Sequence, residues 1–296
     1  MDGGSAGMLS DDCNINPFCN FTMVHLNYCD GASFSGYVKD PVPVPGQASP
    51  IYFRGRAILD ASVGKLMAMG LANASEVIWK GCSAGGLSVF LHADYVRSLL
   101  PNSTRFVAMP DGGLFMDLPS WNGQPTYTPH YQWVAASQNV TANVNAACVK
   151  HYSATNESWR CFMAQYTLPF ITTPLYITQD LDDIWQMENI GALPSDCLTF
   201  PPRARCSSDQ IAYLHRFRYQ MLAALEPIFA SAPENGGFFT TCLNHCHQNR
   251  VPMWTRELVS GQSLVKSFAS WYYGGALQTI VIDDQLGLNP TCSYGY

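Results

Sequence analysis

The stretch VIWKGCSAGGLSVFLHADYV, residues 77–96, constrains this chain more than any other. Strand formers run into Gly81, and helix formers take over from Leu87. A strand must therefore give way to a helix across a few small residues. Within that junction Gly81, Ser83 and Gly85 have the Gly-x-Ser-x-Gly spacing of a nucleophile elbow. There, small residues let the backbone turn sharply enough to project the serine hydroxyl. The plainer reading is an ordinary strand-to-helix turn with Ser83 as a turn residue. What separates the two is whether a base and an acid follow the serine in the right order.

The pattern around this junction repeats it. Leu59, Val63, Leu66 and Met67 share one face of a helix that ends at Gly70. EVIWK then reads as a strand, GLSVFLHADYVRSLL as a helix ended by Pro101, and RFVAMPDGG as a strand with a turn at Asp111-Gly112. Farther on, TTPLYITQ is a compact buried strand, followed by the carboxylate-rich turn and helix DLDDIWQMENIGAL. The strongest helix, SSDQIAYLHRFRYQMLAALEPIFA, is capped by Ser207 or Ser208. A glycine pair precedes the short strand FFTTC, and a last helix closes the fold. Helix and strand in alternation predict an α/β fold of mostly parallel strands flanked by helices. No linker or repeat divides the 296 residues, so residues 1–296 are expected to form a single domain. KDPVPVPGQASP, residues 39–50, is a surface loop.

Composition narrows the function. The chain is 47% hydrophobic and 13% charged, with a net charge of −6 and no basic run. Binding to nucleic acid or to an acidic membrane surface has no electrostatic footprint here. No apolar run reaches the length of a membrane span. Eleven cysteines and five Asn-x-Ser/Thr sequons, at Asn20, Asn73, Asn102, Asn139 and Asn156, predict a disulfide-bonded, secreted glycoprotein. The lone CxxxC at Cys242 does not make a zinc site, so no metal is expected. MDGGSAGMLSDDCN lacks the basic and apolar regions of a signal peptide. With the odd cysteine count, this favours a chain that begins inside a longer one.

Ser83 needs a histidine to take its proton and an acid to hold that histidine in the right tautomer. In hydrolases built on this elbow the acid and then the histidine follow the serine. PLYITQ delivers Asp180, Asp182 and Asp183, and FFTTCLNHCH delivers His245 and His247. The order is that of a serine hydrolase. Each residue also has a structural reading: the aspartates as solvated loop charges, His245 as a packing residue beside a disulfide. Cys82 sits off the apex of the turn and is a poor alternative nucleophile. His92 and Asp94 lie past the elbow on its own helix, where structural roles are expected.

Taken together, YCDGASFSGYV, YFRGRAILDA, GCSAGGLSVFLHADYV, TTPLYITQDLDDIWQ and TTCLNHCHQ resemble successive blocks of the pectin acetylesterase family, which also contains the Notum carboxylesterases. The blocks run from about Gly7 to Cys292. The resemblance implies an α/β-hydrolase-like fold and ester cleavage by a Ser-Asp-His triad without metal or other cofactor. It assigns Ser83 as nucleophile, Asp183 as acid (three residues before Gln186) and His245 as base (three residues after Cys242). The amide of Ala84 matches one oxyanion donor. The family's upstream Gly-Gly-Gly-Trp-Cys stretch, which gives the other oxyanion amides, is absent. The expectation is therefore an N-terminally truncated domain lacking the first strands of its sheet.

The function expected is a secreted or cell-wall serine carboxylesterase. It would remove O-acetyl groups from a pectin-like polysaccharide, acting as a monomer through an acyl-enzyme. Trp121, Tyr127, Tyr131 and Trp185 are candidates for stacking on sugar. Two alternatives stand beside it: a Notum-like deacylase of lipid-modified protein, which needs a deep apolar pocket, and a catalytically impaired glycan-binding relative.

Overall fold

The computed structural model describes residues 7–199, 203–274, 280–283 and 287–293. Its frame is a five-stranded parallel sheet in the order β1-β2-β3-β4-β7. Helix α1 (Gly55–Ala68) leads to β1 (Glu76–Cys82), then α2 (Ala84–Leu99) and β2 (Arg105–Asp111). The aromatic stretch that follows folds into α3 (Thr128–Ser137), α4 (Ala146–Ser153) and the single turn α5 (Ala164–Thr167). Strand β3 (Tyr176–Asp180), the short helices α6 (Ile184–Asn189) and α7 (Ser195–Leu198), and α8 (Ser208–Ser231) come next. Strand β4 (Gly236–Thr240) precedes α9 (Val251–Thr255) and a two-stranded pair, β5 (Leu258–Val259) with β6 (Gln262–Ser263). Helix α10 (Leu264–Gly274) and β7 (Ile280–Ile282) complete it.

The sheet is covered on both faces, and the strand period of two shows it. On β2, Phe106 and Ala108 join one core with Leu59 and Val63 of α1 and Leu214 and Phe217 of α8. Their neighbours Val107 and Met109 join a second core with Trp254, Phe268 and Tyr272. Ile177 and Phe239 fall in the first core, Tyr176 and Phe238 in the second. Each valine, leucine, isoleucine, phenylalanine or methionine among them contributes about 1.5–3 kcal/mol when taken fully out of water. Strand β1 stays partly exposed along its whole length.

Local sequence accounts for most boundaries. Ser207 caps α8: its hydroxyl accepts from Gln210 N–H at 3.3 Å, while the Gln210 side chain accepts from Ser207 N–H at 2.8 Å. Of the two serines expected there, the first is the cap. The glycine pair expected ahead of the fourth strand lies inside it: Gly236 and Gly237 pair with Tyr176 and Ile177 of β3. Side chains at these positions would collide with the Trp271 and Tyr176 rings and with Phe239.

Five disulfides join Cys13–Cys19, Cys82–Cys246, Cys148–Cys161, Cys197–Cys206 and Cys242–Cys292, leaving Cys29 free and exposed. All five sequon asparagines are exposed. Among the described residues no helix is long and apolar enough to cross a membrane.

Candidate active site

The carboxyl ends of β1, β3 and β4 converge, as open parallel sheets require of a site. Ser83 follows β1 directly and adopts φ 59°, ψ −122°. A non-glycine residue pays on the order of 1–3 kcal/mol for such a conformation, so the surroundings must enforce it. They do so by close packing. A Cβ on Gly81 would stand 2.2 Å from the Gly85 carbonyl oxygen, and one on Gly86 2.5 Å from the Asp111 carbonyl oxygen. Ser83 N–H donates to that same Asp111 oxygen at 2.8 Å. Packing therefore holds Gly81 to glycine, whereas a side chain at Gly85 meets open space; the second position that packing holds to glycine is Gly86, which the Gly-x-Ser-x-Gly pattern does not single out. Ala84 opens α2, where a helix leaves its first amides without intrahelical acceptors and its dipole favours negative charge.

Asp183 caps α6 beyond the end of β3. One carboxylate oxygen accepts from Gln186 N–H at 3.1 Å; the other accepts from Gln179 Nε2 at 2.9 Å and lies 2.8 Å from His245 Nδ1. The carboxylate is fully buried. His245 Nδ1 is thus committed to Asp183, while its Nε2 has no hydrogen-bond partner. The imidazole sits beside Phe115 and Trp185, with ring centroids 6.3 and 6.2 Å away. Burial pulls its pKa down, but the charge and hydrogen bond of Asp183, aided by Asp111 and Asp180, outweigh burial and leave it above the ordinary 6.5.

Ser83 and His245 are brought together by a covalent link. The disulfide Cys82–Cys246 joins the residue before the serine to the residue after the histidine, with Cα atoms 5.7 Å apart. This bridge also disposes of Cys82 as a nucleophile. The reading of His245 as packing beside a disulfide is correct as geometry, and the Asp183 contact adds to it.

The other aspartates and the second histidine have different partners. Asp180 and Asp182, expected as solvated neighbours, are buried: they are 1% and 0% exposed. Asp182 pairs with Arg203 and, at 2.5 Å, with Arg218, which ties the β3–α6 turn to α8. Asp180 stands 3.1 Å from His247 Nε2, which is also 3.2 Å from Glu257. Burial pushes the Asp180 carboxyl up to about 6, and the two carboxylates hold the His247 imidazole well above its usual value against the effect of burial. His92 is buried with its Nε2 3.0 Å from Ser35 Oγ, and Asp94 accepts from the backbone amides of Thr172 and Thr173. Both are structural, as expected.

A cavity of about 310 Å³ opens at Ser83 and Ala84. Phe115, Tyr127, Tyr131 and Trp185 wall it, joined by Phe162 and Val134 and by Tyr28, Gly31, Ser33 and His130. Of the expected stacking aromatics, Trp121 is not on this wall; its indole donates to the Ala192 carbonyl at 3.1 Å. Sequence reading missed Phe115 and Gln179. Gln179 and Gln186 hold the backbone of Leu114 and Met116, and so present the Phe115 ring between them. No local pattern marks that role, because it is built from three distant segments.

The family model for Pectinacetylesterase matches residues 2–293. The chain belongs to the pectin acetylesterase family. As a member it is a carboxylic ester hydrolase. It is 32% identical to Pectin acetylesterase 5 of Arabidopsis thaliana over 97% of this chain and 67% of that protein. To Pectin acetylesterase 7 of the same plant it is 30% identical, over 98% and 75%. The solved structure of the Wnt deacylase Notum from Drosophila superposes with a TM-score of 0.81 at 23% identity, covering 98% of this chain and 80% of that one. The pectin acetylesterase-family chain therefore has the α/β-hydrolase-like fold of Notum, as its elbow and strand order imply.

Proposed function

We propose that the chain is a secreted, monomeric serine carboxylesterase that removes O-acetyl groups from pectin-like polysaccharide. The observation that carries this reading is the His245 imidazole, with Nδ1 bonded to buried Asp183 and Nε2 uncommitted, tied through Cys82–Cys246 to a serine in strained elbow geometry. In this reading His245 Nε2 takes the Ser83 proton as the hydroxyl oxygen attacks the acetyl carbonyl. Asp183 keeps Nδ1 protonated and stabilises the imidazolium that forms. The Ala84 amide donates to the developing oxyanion. The imidazolium then gives the proton to the sugar oxygen as its bond to the acetyl carbon breaks, freeing the sugar hydroxyl and leaving acetyl-Ser83. Water, deprotonated by the same Nε2, releases acetate and restores Ser83. Exposed sequons and five disulfides suit an extracellular site of action.

One observation favours a wider acyl range: an aromatic-walled cavity of about 310 Å³ is larger than an acetyl group requires. Acetate release from O-acetylated pectin tests the first reading, and a series of 4-nitrophenyl esters from acetate to decanoate tests the second. Ser83→Ala should lower turnover of every substrate by on the order of 10⁶. A fluorophosphonate should label Ser83 in the parent. Retention of a tenth of the activity by Ser83→Ala would remove that serine from the mechanism.

A further inference from the structure

A galacturonan carries a carboxylate on each unesterified sugar, yet the cavity wall at Ser83 holds neither lysine nor arginine among the described residues. Cationic recognition of such a polymer must come from outside the cavity. Four residues beyond Ser33 on that wall, the chain enters a hairpin, with Val38 N–H donating to Phe53 and Val42 paired with Ile51. Its base is fixed to the cavity's own helix, since Tyr37 N–H donates to the Gln138 carbonyl just past α3, which supplies His130, Tyr131 and Val134 to the wall. Four residues reach at most about 14 Å, so Tyr37 stands within a short oligosaccharide of the cavity.

The hairpin presents two open aromatic rings with a cation between them. Tyr37 is 40% and Tyr52 61% exposed. The Arg54 guanidinium lies 5.3 Å from the first ring centroid and 5.8 Å from the second. Two backbone carbonyls, those of Phe53 and Lys39, hold it there at 3.2 and 2.7 Å. Arg56, Arg105 and Arg160 pair with Asp60, Glu76 and Glu157, whereas Arg97, like Arg54, donates to backbone carbonyls. Arg54 has no carboxylate partner among the described residues, although acids outnumber bases in this chain. A guanidinium retains donors beyond those two bonds, in a fork that matches a carboxylate. Lys39, whose backbone carbonyl holds Arg54, is itself exposed.

We propose that Tyr37, Tyr52, Arg54 and Lys39 form a subsite for an anionic sugar of the substrate polymer. A pyranose ring stacks on an exposed tyrosine, and its uronate carboxylate is taken by the Arg54 fork. This rests on the pectin reading above and deepens it: the polymer is bound as a uronan, through its charge, at a distance from the ester being cut. A neutral acetylated glycan gains nothing from Arg54.

The test compares the parent with Arg54→Ala, Arg54→Ala/Lys39→Ala and Tyr52→Phe on three substrates: acetylated polygalacturonate, acetylated xylan and 4-nitrophenyl acetate. Loss of the cation should raise KM on the polygalacturonate about tenfold with kcat unchanged. Kinetics on xylan and on the nitrophenyl ester should stay as in the parent, which also reports an intact fold. Tyr52→Phe keeps the ring and should behave as the parent. Added sodium chloride should erase the difference between parent and Arg54→Ala. An unchanged KM on polygalacturonate, or an equal rise on xylan, would overturn the subsite. If the parent cleaves the nitrophenyl ester but no polygalacturonate, the pectin reading has failed. Affinity electrophoresis in unacetylated polygalacturonate then judges the subsite alone: retardation of the parent but not of Arg54→Ala supports it, and equal mobility overturns it.

Discussion

Cys82 and Cys246 lie 164 residues apart in the chain and are joined by a disulfide. One precedes Ser83 and the other follows His245, so a single covalent bond spans the two segments that must meet in the proposed proton transfer. Cys246 takes φ 70°, and its sulfur lies 3.8 Å from the Asp111 carbonyl that also receives Ser83 N–H. Elbow, base loop and the end of β2 thus share one anchor.

Removing this bridge should damage catalysis beyond what lost stability explains. In Cys82→Ala/Cys246→Ala we expect kcat to fall roughly 10²-fold with KM little changed, because misplacing a base by about 1 Å has that effect. Closing so long a loop also stabilises the fold by about 3–5 kcal/mol. Kinetics at a temperature where circular dichroism shows the variant folded separate the two effects. Parental kcat there would make the bridge purely structural.

Asparagine at each aspartate of the β3–α6 turn should give three different phenotypes. Asp183→Asn leaves the capping geometry in place but spoils the tautomer of His245, with a loss of about 10⁴ in kcat. Asp182→Asn leaves Arg203 and Arg218 facing a neutral amide, and should cost about 3–5 kcal/mol of stability with the activity of the folded fraction retained. Asp180→Asn strips one of the two carboxylates from His247 and should also be read in stability. Urea unfolding and initial rates on all three, measured side by side, check the assignment; a severe kcat loss in Asp182→Asn with a mild one in Asp183→Asn would move the acid by one position.

In the proposed mechanism His245 must be neutral to accept the serine proton, and Asp183 raises its pKa above 6.5. The acid limb of kcat/KM should therefore have its midpoint above 6.5, and in Asp183→Asn the residual activity should show that midpoint shifted downwards. Stability runs the opposite way. A raised folded pKa contributes stability that is full below the unfolded value and is lost as pH rises through the folded one. Across that window activity should grow while the contribution of His245 to stability declines, as pH-rate profiles and unfolding midpoints in the same buffers will show.

The two histidines of the HCH triplet should separate activity from stability. His245→Ala should abolish turnover, yet Asp183 keeps Gln179 and Gln186 as partners, so the fold should survive. His247→Ala leaves Asp180 and Glu257 buried without the cation between them, a loss of about 3–5 kcal/mol. Thermal unfolding of the pair tests this; equal midpoints would mean that one of those carboxylates takes up a proton at little expense.

Local pattern was enough for the architecture and for the chain order of the proposed catalytic groups. Strand formers running into Gly81, the buried run ending at Asp180 and the capping serine of α8 act within a few residues, and short-range sterics and hydrogen bonding decide them. The same reading picked Ser83, and family resemblance picked Asp183 and His245 from among their neighbours. What local pattern left open depends on partners far away in sequence. Asp180, Asp182 and Asp183 are three near-identical carboxylates within four residues; only packing against His247, the two arginines and His245 gives each its charge partner. Gly86 rather than Gly85 is obligatory because β2 passes against it, and the pairing of Cys82 with Cys246 exists because β1 and the loop after β4 end side by side. Burial and long-range contact are properties of the folded chain, and they settled which of the candidate groups meet.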